Sequence, residues 1–195
     1  MSKEDISIEE IENALDSAHM DLFIEELSQY REAGRNIDEV DGAGYTWLTR
    51  SIISHYYEPY DECIEIRMKA VLFAGANPDK GDDETIPLVY ACGWQFGYGL
   101  GPSSNFVKIL LDSGANPSPV LDINMPSTYI NEDGDIDFSD TNMTHITTID
   151  AWLADIEYHN DLIEMKHMDH YMKCVEVRKE LTKIRQLLEE SRAIY

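Results

Sequence analysis

AVLFAGANPD (70–79) and VKILLDSGANPS (107–118) share the string GANP, at 75–78 and 114–117, each time behind an apolar run. A weaker copy, YREAGRNIDEVD (30–41), puts Gly34 in the same place, so Gly34, Gly75 and Gly114 fall 41 and 39 residues apart. The residue just past a helix commonly adopts a left-handed conformation, which costs Gly no Cβ clash. The Pro behind it in the two GANP copies cannot carry the helix on. One such stop is ordinary. Three in register are a repeat, and self-similarity at a period of roughly 20–50 residues marks an architecture of stacked units.

A second element recurs after each stop. DGAGYTWLTRSI (41–52) offers Thr46, Trp47 and Leu48; GDDETIPLVYAC (81–92) offers Ile86, Pro87, Leu88 and Ala91; HITTIDAWLAD (145–155) offers Thr147, Thr148 and Ile149. Thr opens a helix as its N-cap and Pro as its first residue, and the Leu or Ile behind becomes the first buried anchor. Each unit therefore reads as turn, short helix, longer helix, Gly stop.

This pattern resembles the ankyrin repeat, in which a turn and T-P-L-H lead to a small pair and then to L-L-x-x-G-A. Ile86, Pro87 and Leu88 fall on T-P-L, Ala91 and Cys92 on the small pair, and Leu110, Leu111, Gly114 and Ala115 on L-L-x-x-G-A. The likeness covers residues 8–118, with a weaker terminal unit over 144–193. It departs from the family in length, about 40 residues per unit against about 33. The surplus lies between the helices, in SHYYEPYDE (54–62) and GWQFGYGLGPSSN (93–105). The His of T-P-L-H is replaced by Thr49, Val89 and Asp150, which removes the side chain that usually hydrogen-bonds between units.

The expected fold is all-α: an ankyrin-like helical solenoid of about four helix-turn-helix units with an inserted β-hairpin. It forms a single domain, 1–195, with an N-terminal capping unit at 8–40 and further units at 41–80 and 81–118. A hairpin-bearing insertion follows at 119–145, then a C-terminal unit and capping helix at 146–195. The first unit carries an apolar stripe at Ile11, Leu15, Leu22, Phe23 and Leu27; the last helix carries Leu162, Met165, Met172, Val175, Leu181, Ile184 and Leu188. In the insertion, alternation in TYIN and DIDF around a DG turn predicts Tyr129–Asn131 paired with Ile136–Phe138. A long insertion in a stacked array lands on one face, often the functional one.

Motifs for catalysis are missing: GxSxG, a P-loop, GxGxxG and HExxH do not occur. The glycines of GWQFGYGLG (93–101) alternate with aromatics, carry no cation for a phosphate, and read as an inter-helix loop. YINEDGDIDFSD (129–140) sets Asn131, Asp133, Gly134 and Asp140 at calcium-loop positions, but Tyr129 stands where the first carboxylate is needed. His167, His170 and Cys174 share one side of a helix at spacings that zinc could use, and that packing residues use more often. Cys63, Cys92 and Cys174 are odd in number and lack a CxxC, against a disulfide framework or a structural zinc site. The reading is no enzyme, no cofactor and no metal.

Charge speaks more clearly. Asp plus Glu number 38 against 15 Lys plus Arg, a formal net of -23 over 195 residues, while 43% hydrophobic content excludes a disordered acidic polymer. Direct nucleic-acid binding would forfeit the counterion release that drives it, and anionic membranes are disfavoured for the same reason. Between Lys108 and Lys166 there is no Lys or Arg and there are twelve acids. Glu132, Asp133, Asp135, Asp137 and Asp140 crowd the hairpin; Asp79, Asp82, Asp83 and Glu84 crowd a turn between units. The resemblance places such turns toward a concave binding side. Partner-binding candidates are thus Asp79, Asp82, Asp83, Glu84, Glu132, Asp133, Asp135 and Asp137, with Tyr56, Tyr57, Tyr60, Trp94 and Tyr98 as aromatic anchors.

These readings point to a protein-binding module for a basic protein partner. The favoured form is an immunity- or antitoxin-type inhibitor masking a nuclease-like toxin; the alternative is a general ankyrin adaptor or regulatory protein with no toxin partner. With no apolar h-region in MSKEDISIEEIENAL and no long apolar window, a cytoplasmic location is expected. The oligomeric state stays open.

Overall fold

The computed structural model describes residues 20–53, 61–81, 85–93, 101–130, 136–166 and 171–194. Its helices are α1 (Met20–Glu32), α2 (Trp47–Ile53), α3 (Asp61–Phe73), α4 (Pro87–Ala91), α5 (Ser104–Asp112), α6 (Ile149–Lys166) and α7 (Tyr171–Arg192). Its strands are β1 (Val120–Ile130) and β2 (Ile136–Thr148).

Each Gly stop ends its helix by the same device. Gly34, Gly75 and Gly114 take φ of 74°, 100° and 91°. Their amides reach back to the carbonyls of Arg31, Leu72 and Leu111, and the following amides to Tyr30, Val71 and Leu110. This double closure is the Schellman motif, and a positive φ at its centre selects Gly. The next residue is Ala76 or Ala115 in the GANP copies, and both are buried. The openers also act locally. Thr46 Oγ1 accepts from the Thr49 amide (3.2 Å) and Thr148 Oγ1 from the Ala151 amide (3.2 Å). Pro87 sits at the first position of α4, and Ser103 caps α5 by accepting from the Phe106 amide.

The turns behind the stops are linked. Asn36, Asn77 and Asn116 each accept, through Oδ1, the amide two residues on, at 3.1, 3.0 and 2.9 Å. Asp38 Oδ1 then accepts the Asn77 amide and Asp79 Oδ1 the Asn116 amide, both at 2.8 Å. The third turn has Ser118 where the others have Asp. Here Arg192, from the end of α7, donates to Ser118 Oγ (2.8 Å) and to the Pro117 carbonyl. Behind the turns α1, α3, α5 and α7 lie side by side, with α2 against α3 and α4, and α4 against α5. Thr49, where the repeat pattern carries His, donates through its hydroxyl to the Thr85 carbonyl (2.8 Å), so the short-helix layer keeps a polar link between units.

The expectation of an all-α solenoid is overturned by the second half of the chain. Seven helices share the described residues with a two-stranded antiparallel sheet whose strands have 11 and 13 residues. Pairing of Tyr129 with Asp137 and Ile130 with Ile136 falls inside the expected hairpin, but the ladder runs on to Val120–Thr148. The physical reason is burial at its base: Leu121, Ile123 and Ile146 are at most 2% exposed, and the sheet packs on α6 at Ile149, Trp152 and Leu153. Pro126 sits within β1, which a two-stranded sheet tolerates because each strand has an edge outside the ladder. The fold is mixed, a helical array joined to a core-anchored hairpin.

The register breaks twice. Between Val120 and Ile123 β1 carries one extra residue; between Pro126↔Met143 and Ser127↔Ser139 β2 carries three, residues 140–142. A basal segment on α6 and a distal segment beyond it are thereby separated. α6 and α7 then run antiparallel, joined by a core of Trp152, Leu153, Ile156, Leu181, Ile184 and Leu188, each at most 4% exposed.

Candidate functional site

The ion pairs along α6 and α7 and the run of acids in the hairpin sequence define the candidate surface. Three arginines spaced by seven on α7 meet three carboxylates on α6: Arg192 with Asp150 (3.1 Å), Arg185 with Glu157 (2.7 Å) and Arg178 with Asp161 (2.6 Å). Seven residues is close to two helical turns, so the arginines fall on one edge of α7 and its antiparallel neighbour supplies the counter-charges. Asp155 pairs with His159 (3.2 Å), Asp122 with His145 (2.6 Å) and Asp112 with Lys108 (2.8 Å).

Six of the twelve acids in the cation-free window are thus met, in half the cases by arginines from outside that window. Of the remaining six, five lie in the hairpin: Glu132, Asp133, Asp135, Asp137 and Asp140. Asp137 stands in β2 opposite Tyr129. Glu132, Asp133 and Asp135 lie outside the described residues, as do Asp82, Asp83, Glu84, Tyr56, Tyr57, Tyr60, Trp94 and Tyr98. His167 and His170 also lie outside them, and Cys174 lies in α7. Asp79 is exposed and gives one carboxylate oxygen to the turn ladder. The α6–α7 arginine seam and the carboxylate-to-amide links at Asp38 and Asp79 were missed from sequence. Their signals are the spacing of Arg178, Arg185 and Arg192, and the recurrence of N-x-D at 36–38 and 77–79.

Two recesses border the helical array. The first, lined by Tyr30, Glu39, Val40, Asp41, Tyr45, Trp47 and Arg50, is filled by its own contacts. Tyr30 donates to Glu39 (2.9 Å), Arg50 pairs with Asp41 and lies over Tyr45, and Arg35 lies over Tyr30. Burial, then the Glu39 carboxylate, pushes the Tyr30 phenol above its ordinary value. The second, of about 330 Å³, lies among Ile52, Tyr90, Ser103, Ser104, Phe106, Glu180 and Lys183. Burial alone would raise the Glu180 carboxyl, but hydrogen bonds from Lys183 and from the Ser104 amide (2.9 Å) outweigh it and hold the group below the usual carboxylate range. Glu180 thereby ties α7 to the first turn of α5, where a carboxylate is favoured.

Cys92 is fully buried, and burial pushes its thiol far up, away from the thiolate form. Among the described residues, no three His, Cys, Asp or Glu side chains group in a way that could hold a metal ion. Among the same residues, no helix is long and apolar enough to cross a membrane. No family model matches the chain, and neither a curated protein nor a solved structure shows significant similarity to it.

Proposed function

We propose that this chain is a protein-binding module that takes a basic protein partner and acts by covering it rather than by catalysis. Within that class the reading we favour is a cytoplasmic immunity- or antitoxin-type inhibitor that masks a toxin domain acting on nucleic acid. The likeness of residues 8–118 to ankyrin-type units belongs to the same proposal, as a scaffold for recognition.

The observation that supports it is where acids crowd without cations along the sequence. Asp150, Glu157 and Asp161 of α6 have arginine partners on α7, whereas the hairpin carries five acids within residues 132–140 and no Lys or Arg. Crowded like charge costs free energy in the isolated protein and is relieved by an oppositely charged surface, which also speeds encounter.

Association with the partner should slow steeply as salt rises from low to physiological ionic strength, and a flat profile in stopped-flow mixing would contradict a charge-driven encounter. Replacing Asp133, Asp135 and Asp137 together by Asn should weaken binding roughly tenfold with the melting temperature unchanged. A pull-down read by mass spectrometry separates the two forms of the module. A nuclease-like toxin as the captured protein supports inhibition; a set of unrelated cellular proteins supports a general adaptor.

A further inference from the structure

α1, α3 and α5 end at Gly34, Gly75 and Gly114, so counting back from each glycine matches their residues one to one. Seven back stand Leu27, Met68 and Val107, and four back Tyr30, Val71 and Leu110; all six are buried and form the inner side of the row. Nine back stand Glu25, Ile66 and Asn105, and two back Glu32, Phe73 and Asp112; all six are exposed. At these outer places α1 and α5 carry polar side chains, and α3 carries two large apolar ones. Phe73 is 88% exposed and Ile66 47%.

The sister helices show that the fold itself does not require an apolar residue at either place. About two turns of helix, or roughly 10 Å, separate Ile66 from Phe73, and the half-buried Ala70 lies between them on the same side. α3 thus has an apolar stripe on its outer side as well as the buried one through Ile64, Met68 and Val71. Apolar residues on both sides are the composition of a helix that is covered on both.

We propose that the outer side of α3 is a contact between two copies of this chain, α3 packing antiparallel on its counterpart with Phe73 of each copy against Ile66 of the other. A two-fold axis needs a patch that matches itself, and two apolar residues on one stripe meet that need. Ala70, small and midway, lets the two helices approach. Charge favours the same occupant. Copies of a chain of net charge -23 repel, and the repulsion is least where the charges at the contact are matched within each copy. Beside the stripe Lys69 pairs with Glu65 (3.2 Å), and on α5 Lys108 pairs with Asp112 (2.8 Å). One helix pair is small against the roughly 1,200 Å² of a stable interface, so the dimer is weak, with a Kd on the order of 10–100 µM.

Sedimentation equilibrium of the full chain under reducing conditions, from about 5 µM to about 500 µM, tests it. The chain should be monomeric at the low end and dimeric at the high end. Dimerisation should be tighter in ~0.5 M salt than in ~0.05 M, because salt screens the repulsion and leaves the apolar contact. That sign is opposite to the charge-driven encounter above, so the two readings fail separately. Phe73→Glu gives α3 the residue type that α1 has at this place and should weaken dimerisation at least tenfold; Ile66→Asn, matching α5, should weaken it by about tenfold. Both variants should keep the melting temperature of the dilute monomer, since neither side chain belongs to the core. A monomer throughout the range, a dimer that salt weakens, or a dimer indifferent to Phe73→Glu overturns the proposal. A lowered melting temperature in the dilute variants would give the two residues a structural role instead and overturn it as well.

Discussion

In the turns at 36–38 and 77–79 a carboxylate meets a backbone amide; along α6 and α7 it meets a guanidinium. Both arrangements join neighbouring elements of an acid-rich chain, and they differ in what they depend on. Asp38 and Asp79 fix the backbone of the next turn at 2.8 Å through a group that every non-Pro residue carries. Arg178, Arg185 and Arg192 hold their partners through long side chains at an exposed seam, where solvent and salt screen the attraction. The hairpin acids stand apart in sequence alone, five within residues 132–140 with no Lys or Arg among them. A carboxylate among the described residues is thus a structural acceptor or a counter-ion, according to what the fold brings to it.

Variants can break that comparison, beginning with the element that separates its two sides. Ile123→Ala removes a fully buried side chain at the hairpin base and should cost about 3 kcal/mol in urea unfolding. Loss of β1 amide protection ahead of the helices would show that the base alone anchors the sheet. Asp79→Ala leaves the Asn116 amide without its acceptor and should cost about 1 kcal/mol at any salt concentration, and Asp79→Asn should restore much of it.

A smaller effect is expected at His159, whose hydrogen bond to Asp155 outweighs burial and raises its pKa above the ordinary value. The folded state therefore favours the protonated ring. Its contribution is complete below about 6.5 and is lost as pH rises through the raised value. The melting-temperature gap between the natural protein and His159→Gln should accordingly close as the solution is made alkaline. Smallest of all, Arg185→Ala at the seam should cost about 0.5 kcal/mol or less and nothing measurable in ~0.5 M salt. A salt-independent loss there would erase the distinction between the seam and the turns.

What could be read from the sequence was local. Gly34, Gly75 and Gly114 announce their helix ends because a left-handed residue is selected by backbone sterics alone. Thr46, Pro87 and Thr148 mark openings because capping is settled within one turn. The sheet is longer than the sequence predicts because its length is decided by Leu121, Ile123 and Ile146 finding Trp152 and Leu153, a tertiary event. The acidic window misled in the same way. Its α6 carboxylates looked unmatched along the chain, and only the antiparallel return of α7 sets Arg185 beside Glu157. Of the surface residues that the sequence nominates, Asp79 serves a turn, and Asp137 stands in the distal part of β2.

Ser118 closes the series of linked turns. A turn that ends in Asp hands an acceptor forward to whatever turn comes next; a turn that ends in Ser hands forward a hydroxyl that Arg192 already occupies. The series therefore has a direction and a last member written into it. Duplicating residues 81–118 by one more copy would place a new turn behind Ser118 with no carboxylate to receive it. Lengthening this array would take two further changes, Ser118→Asp and a new berth for Arg192, and so its count of turns is set by that pair of side chains.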